Sequence, residues 1–176
     1  MFTDSPNTLW RNIARMSPQN DAGYVRIASR DPTATPDINL NYYAVGGETD
    51  VGAMMDTVAW VRRAFAALPA PYGPILETIE PPCPSGYDPK TGVCSVPDED
   101  AQWIREQTFG HHAVGTCKMG TGDDARAVVD AKFRVFGVQG LRVVDGSVFP
   151  IAPGAFPVLP TVMLGQKASD TILEDA

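Results

Sequence analysis

The sequence predicts an α+β fold from three features. Two short stretches with strand character fall between residues 23 and 42, apolar residues recur at helical spacing over 51–68, and a short strand-like run at 141–145 precedes a further amphipathic stretch at 161–173. Pro- and Gly-rich segments separate these elements.

Taken in order, Gly23 to Ile27 reads as a strand because Tyr24, Arg26 and Ala28 alternate with Val25 and Ile27. Asp31-Pro32 and Thr35-Pro36 are turn signals, and Ile38 to Tyr42 forms a second extended piece. Val51, Met54, Met55, Val58, Val61, Phe65 and Leu68 then step by three and four, which predicts a helix capped by Thr49 or Asp50 and ended by Pro69. On that helix Met54, Met55 and Trp60 are read as core filler. Residues 69–97 are rich in Pro and Gly and fit either a substrate-shaping loop or a neutral insertion. Asp98-Glu99-Asp100 opens a helix that runs through Gln107, its acidic residues suiting the positive N-terminal end. Leu141 to Asp145 reads as a buried strand, Gly146 permits close backbone approach to a ligand, and Thr161 to Leu173 is the closing amphipathic helix.

Hydrophobic residues make up 44% and charged residues 20% of the chain, a balance that suits a folded globular piece and not a membrane protein. No apolar run is long enough to span a bilayer, and the first residues lack the basic start and apolar stretch of a signal peptide; the leader of a secreted parent is expected upstream. A formal charge of −7 argues against nucleic acid or an anionic membrane as partner.

The three cysteines divide into a pair and a single. Cys83 and Cys94 bracket a turn-rich loop whose ends can approach closely enough for a disulfide, worth roughly 2–3 kcal/mol by chain entropy; two free thiols on a flexible insertion fit the sequence equally. Cys117 is read as a small packing residue. No metal site is expected, because no Cys/His pair has ligand spacing and the adjacent His111 and His112 are expected to point apart.

Those two histidines, the only ones in the chain, open its most informative stretch. His112 to Gly120 reads H-A-V-G-T-C-K-M-G, Ala127 to Asp130 reads A-V-V-D, and Gly137 to Ser147 reads G-V-Q-G-L-R-V-V-D-G-S. In order and interval these segments closely resemble the carboxy-terminal part of the glucose-methanol-choline (GMC) oxidoreductases, flavoenzymes that oxidise alcohols with FAD. The resemblance extends upstream to about Ser17 through Gly23-Tyr24-Val25-Arg26-Ile27, Asp31-Pro32 and Pro36-Asp37-Ile38-Asn39.

The resemblance implies an antiparallel substrate-domain sheet with helices, plus the last strand and helix of an FAD domain. Residues 1–110 then form part of the substrate-binding domain, with 69–97 as a loop insertion, and residues 111–176 supply the active-site segment and the carboxy-terminal piece of the FAD-binding domain. The family's G-x-G-x-x-G turn, which holds the FAD pyrophosphate at a helix N-terminus, has no counterpart here. The chain is accordingly expected to be a fragment, a truncated product or one half of a split protein, partnered by the missing FAD-binding half.

Matched residue by residue, His112 takes the place of the family's catalytic histidine, which accepts the hydroxyl proton of a small-molecule alcohol as hydride leaves for the flavin. His111 becomes a neighbour at the substrate pocket. The family's second polar residue, His or Asn, falls near Phe156, or at Val158 if the alignment slips; neither side chain can hold an alkoxide by a conventional hydrogen bond. Asp145 and Gly146 match residues whose backbone approaches the flavin, although Asp145 also suits a turn cap. Val158 matches a backbone N–H near the flavin's carbonyl edge, a role Pro157 cannot share. Besides an alcohol oxidase or dehydrogenase, a non-redox lyase or cyclase with His112 as acid/base and an inactive accessory partner remain open.

Overall fold

A computed structural model describes residues 12–14, 16–20, 22–154 and 156–175, and the chain divides into two compact units. One comprises the segment up to Gly23 with Leu40–Thr108; the other comprises Tyr24–Asn39 with Phe109 to the carboxy terminus. Helices and a small antiparallel sheet make the fold α+β, as the sequence predicts. No helix of the described residues is long and apolar enough to cross a membrane.

The first unit is built on two helices, α1 (Gly47–Ala66) and α2 (Pro97–Gln107). The periodicity of α1 is the expected one, but its start lies two residues before Thr49. Gly46 occupies the left-handed region (φ 73°) and serves as N-cap without any side-chain bond. Asp50 is instead buried in the first turn, where its Oδ1 accepts the Gln19 N–H at 2.9 Å. Helix α2 begins on Pro97, whose missing N–H costs nothing in a first turn, and carries Asp98, Glu99 and Asp100 where the helix dipole favours them.

What joins the two helices is a buried ion pair. Arg62 of α1, 1% exposed, meets both oxygens of Asp100 on α2 at 2.6 and 2.8 Å. Its Nη1 and Nη2 also reach the carbonyls of Gly92 (3.3 Å) and Pro81 (3.2 Å), so the Pro/Gly-rich segment wraps this guanidinium, whose Nε is buried without a hydrogen-bond partner among the described residues. Gly92 lies against α1 itself: a Cβ there would stand 2.0 Å from the Ala59 carbonyl oxygen, and its φ of 71° also demands glycine.

A disulfide between Cys83 and Cys94 closes the same loop, resolving the alternative the sequence leaves open. Ser85 Oγ ties the loop to the start of α2 by accepting the Val96 N–H (3.1 Å) and donating to Glu99 (2.9 Å). Mass spectrometry of protein isolated without reductant is expected to recover the 83–94 peptides joined. Free alkylation of both cysteines in such material would contradict the bridge.

In the second unit β1 (Tyr24–Arg26) pairs antiparallel with β2 (Asp37–Asn39), Val25 opposite Ile38. Strand β2 ends three residues short of the expected Tyr42, just before Asn41 turns into the left-handed region (φ 47°). From Cys117 to Val143 the backbone forms single bridges, not strands: Met119 with Val129, Val129 with Val135 and Arg134 with Arg142. The expected buried strand at 141–145 is therefore corrected to one bridge. Leu141 is 48% exposed, and Val143 is the member of that run that packs on the core.

That core is Val129, Phe133, Val148 and Ala168, with Met119, Val128, Val135, Val143 and Leu164 against it. Ala168 and Leu164 come from α3 (Val158–Glu174), which starts three residues before the expected Thr161. Pro160 falls in its first turn, where proline is tolerated.

Candidate active site

The candidate site residues His111, His112, Asp145, Gly146, Phe156 and Val158 all lie in the second unit. His111 and His112 follow α2 on irregular backbone, and their rings do not point apart. The centroids are 4.2 Å apart at 61°. Opposed directions hold for consecutive residues of a strand, and this segment is not one. The pair belongs to a row of four rings: Phe109 stacks on His111 (5.6 Å, 19°), and His112 meets Phe156 edge to face (5.5 Å, 87°). His112 is half-buried, whereas His111 is exposed and Phe109 and Phe156 are 77% and 65% exposed.

Beyond His112 the chain turns at Gly115, whose φ of 88° is open only to glycine without strain. The next residues run beside the Asp145–Val148 turn, with Cys117 N–H donating to Ser147 O and Met119 N–H to Val148 O, each at 2.9 Å. Cys117 is half-buried and free, consistent with a packing position. A Cβ placed on Gly146 would lie 3.9 Å from Thr161 Oγ1 of α3 and 4.0 Å from Val114 Cγ1. Gly146 is thus the point where the histidine segment and the start of α3 meet.

Asp145 caps the short 3-10 turn at Gly146–Val148, its Oδ1 accepting the Ser147 N–H at 2.7 Å. Hydrogen bonds from the Ser147 side chain and backbone hold its carboxyl below the usual carboxylate range. Of the two roles open to this residue, the side chain performs the cap. Val158 is the first residue of α3, 70% exposed, in a first turn that has no side-chain cap and no acidic residue. The N–H groups of Val158 and Leu159 have no acceptor within the helix, nor any recorded among the described residues.

Two supports of this arrangement were not foreseen. Asp130 is one: its Oδ1 accepts the Lys132 (2.8 Å) and Arg134 (2.9 Å) N–H groups, and its Oδ2 accepts Arg134 Nε (2.8 Å). The turn so formed holds Phe133 fully buried at a φ of 66°, a backbone state unusual for an aromatic residue. Asp175 is the other, bound by Lys132 and by Arg142 (2.8 Å) at the end of α3. Only the A-V-V-D motif signals the first, and nothing local signals the second.

These carboxylates set an expectation for acid. Lys118 lowers the pKa of Asp124, Ser147 that of Asp145 and Lys132 that of Asp175; for Asp130 burial pushes upward, but the hydrogen bonds of Arg134 and Lys132 outweigh it. A depressed carboxylate contributes stability that is complete above its unfolded value, about 3.9, and is lost as pH falls through the folded one. Thermal melts should therefore hold steady down to about pH 5 and fall steeply below about pH 4. Asp130→Asn should flatten that fall, and an unchanged acid limb would refute the assignment.

The sequence profile of the GMC oxidoreductases matches residues 18–165. The chain is 35% identical over 161 residues to 5-(hydroxymethyl)furfural oxidase from Methylovorus sp. (strain MP688), covering 89% of this chain and 30% of that protein. It is 33% identical over 153 residues to the oxygen-dependent choline dehydrogenase of Vibrio vulnificus (strain YJ016), covering 86% and 25%. Among solved structures, a formate oxidase superposes with a TM-score of 0.74 at 26% identity over 90% of this chain and 26% of that one. A fungal aryl-alcohol oxidase does so with a TM-score of 0.66 at 27% identity over 87% and 23%. The chain thus spans less than a third of the length of these relatives. A profile match over most of its length, and relatives above 30% identity across nearly all of it, show that the chain belongs to the GMC oxidoreductase family, in its carboxy-terminal portion.

Proposed function

We propose that this chain supplies the proton-transfer and substrate-orienting half of an FAD-dependent alcohol oxidase or dehydrogenase, with His112 as the base. The observation that carries the reading is the placement of His112 in its family motif, beside Phe156 and on the segment that reaches Gly146 and the start of α3. The substrates named in the relatives, hydroxymethylfurfural and choline, support a small molecule bearing a hydroxyl group.

The residues fit FAD. The uncapped first turn of α3, free of acidic side chains, suits a flavin carbonyl as acceptor for Val158 N–H, and Gly146 has no side chain to obstruct a ring at Val114 and Thr161. A structure of the Aspergillus oryzae RIB40 formate oxidase, 26% identical to this chain, concerns FAD modification in that enzyme. When bound, FAD supplies the two-electron acceptor for hydride leaving the carbinol carbon. His112 then takes the hydroxyl proton, which makes that departure easier, and Phe156 and His111 confine the substrate beside it.

In this reading residues 1–110 belong to the substrate-binding domain, and residues 111–176 complete the FAD-binding domain. The partner of the chain is the FAD-binding half, which covers the exposed apolar face of α3 formed by Val158, Leu159, Val162 and Met163. The test is anaerobic: substrate alcohol should bleach the flavin of the assembled protein, and bleaching should depend on His112. Phe156 favours a second reading, because a ring where a hydrogen-bonding residue is expected also suits a lyase or cyclase. Conversion of substrate with the flavin left oxidised would select it.

A further inference from the structure

We propose a second chemistry, in the loop of the first unit and independent of the alcohol reaction. When the Cys83–Cys94 disulfide is reduced, Cys83, Cys94 and Glu99 form a tetrahedral Zn2+ site with water as the fourth ligand. The two sulfurs and a carboxylate oxygen of Glu99 all lie within 4.8 Å of one another. Zinc holds sulfur at about 2.3 Å and oxygen at about 2.1 Å, which sets neighbouring sulfur and oxygen ligands about 3.5 Å apart and two sulfurs about 3.8 Å apart. Glu99 Oε2 already stands 3.2 Å from Cys94 Sγ, close to one edge of that tetrahedron. An oxidised sulfur has no proton to give this carboxylate, and among the described residues no lysine or arginine pairs with it. A divalent cation held by two thiolates and the carboxylate supplies the missing positive charge.

The ligands stay together once the S–S bond is gone, because the loop also closes through its backbone. Gly86 N–H donates to Cys83 O (2.9 Å), Ser95 N–H donates to Gly86 O (2.8 Å), and Tyr87 bridges to Cys94. Glu99 sits in the first turn of α2, where the Ser85 N–H (3.2 Å) and hydroxyl (2.9 Å) both donate to its Oε2 and orient it, as hydrogen bonds to a ligating carboxylate do. Cys94 is buried and Cys83 half-buried, so Cys83 is the sulfur that moves outward to open the site. The cysteines are 11 residues apart, so ligand spacing in the sequence does not announce them. A dithiol reductant drives the change. Two electrons and two protons pass from it to the disulfide, it closes to its own disulfide, and Zn2+ then displaces the two thiol protons to solvent. The loop thereby stays fastened to α2 in oxidising and reducing surroundings alike.

The test is a titration of the full chain with Co2+ and then Zn2+, after anaerobic reduction by a phosphine and removal of the excess. One equivalent of Co2+ should bind with a sulfur-to-cobalt charge-transfer band and the intense visible bands of tetrahedral coordination, and Zn2+ should displace it. The oxidised chain should show neither. Glu99→Gln keeps both cysteines and should weaken Zn2+ binding at least about 10-fold, whereas Cys117→Ser should leave it unchanged. A reduced chain that unfolds and binds through its thiols alone would be indifferent to Glu99→Gln. That indifference, no stoichiometric binding after reduction, equal binding by the oxidised chain, or dependence on Cys117 overturns the proposal.

Discussion

Replacing His112 with alanine is expected to slow flavin reduction by substrate at least about 100-fold, the usual cost of removing a positioned general base. Flavin retention and folding should persist, since the turn at Gly115 and the bonds of Cys117 and Met119 do not involve the imidazole. His111→Ala should cost less. Its ring rests on that of His112, so its loss loosens the orientation of the base without removing it. Stopped-flow absorbance under anaerobic conditions separates the two, because it reads the chemical step and not product release. Equal losses for both variants, or none for either, would show the assignment of the base to be wrong.

The second large effect concerns stability and lies in the first unit. Asp100→Ala leaves the Arg62 guanidinium buried with only the Pro81 and Gly92 carbonyls, and loss of one partner from a buried pair costs about 3–5 kcal/mol. Spread over a unit of this size, that is a fall in melting temperature of at least about 10 °C. The double variant Arg62→Met, Asp100→Leu should recover much of the loss, since it removes both charges and keeps apolar volume. Chemical denaturation of the three proteins distinguishes the cases: a single variant as stable as the parent would show the pair to be dispensable.

How far the sequence foretold this structure depends on where each feature's cause lies. Helices α1 and α2 were legible because their apolar steps and acidic first turns are written locally. The start of α1 was not, since it rests on the left-handed state of Gly46 and leaves Asp50 to bond Gln19, 31 residues away. The run 141–145 has strand composition, yet its pairing is one bridge to Arg134 and cannot be read from composition. The site motifs gave the residues but not their mutual placement. The touching rings of His111 and His112 arise from irregular backbone, and the flanking Phe109 carries no motif of its own. Asp130 stood inside a motif, but its work is done through main-chain groups that only the folded turn presents.

The bonds of Lys132 and Arg142 to Asp175 fix one end of a lever. Helix α3 has 17 residues, so its first turn lies roughly 25 Å from that anchor. A rotation of about 5° about the fixed end carries the Val158 amide roughly 2 Å, enough to break a hydrogen bond. The place of the uncapped first turn of α3 is thus set in part by Lys132 and Arg142 at the opposite end, together with the packing of Ala168 and Leu164 on the core.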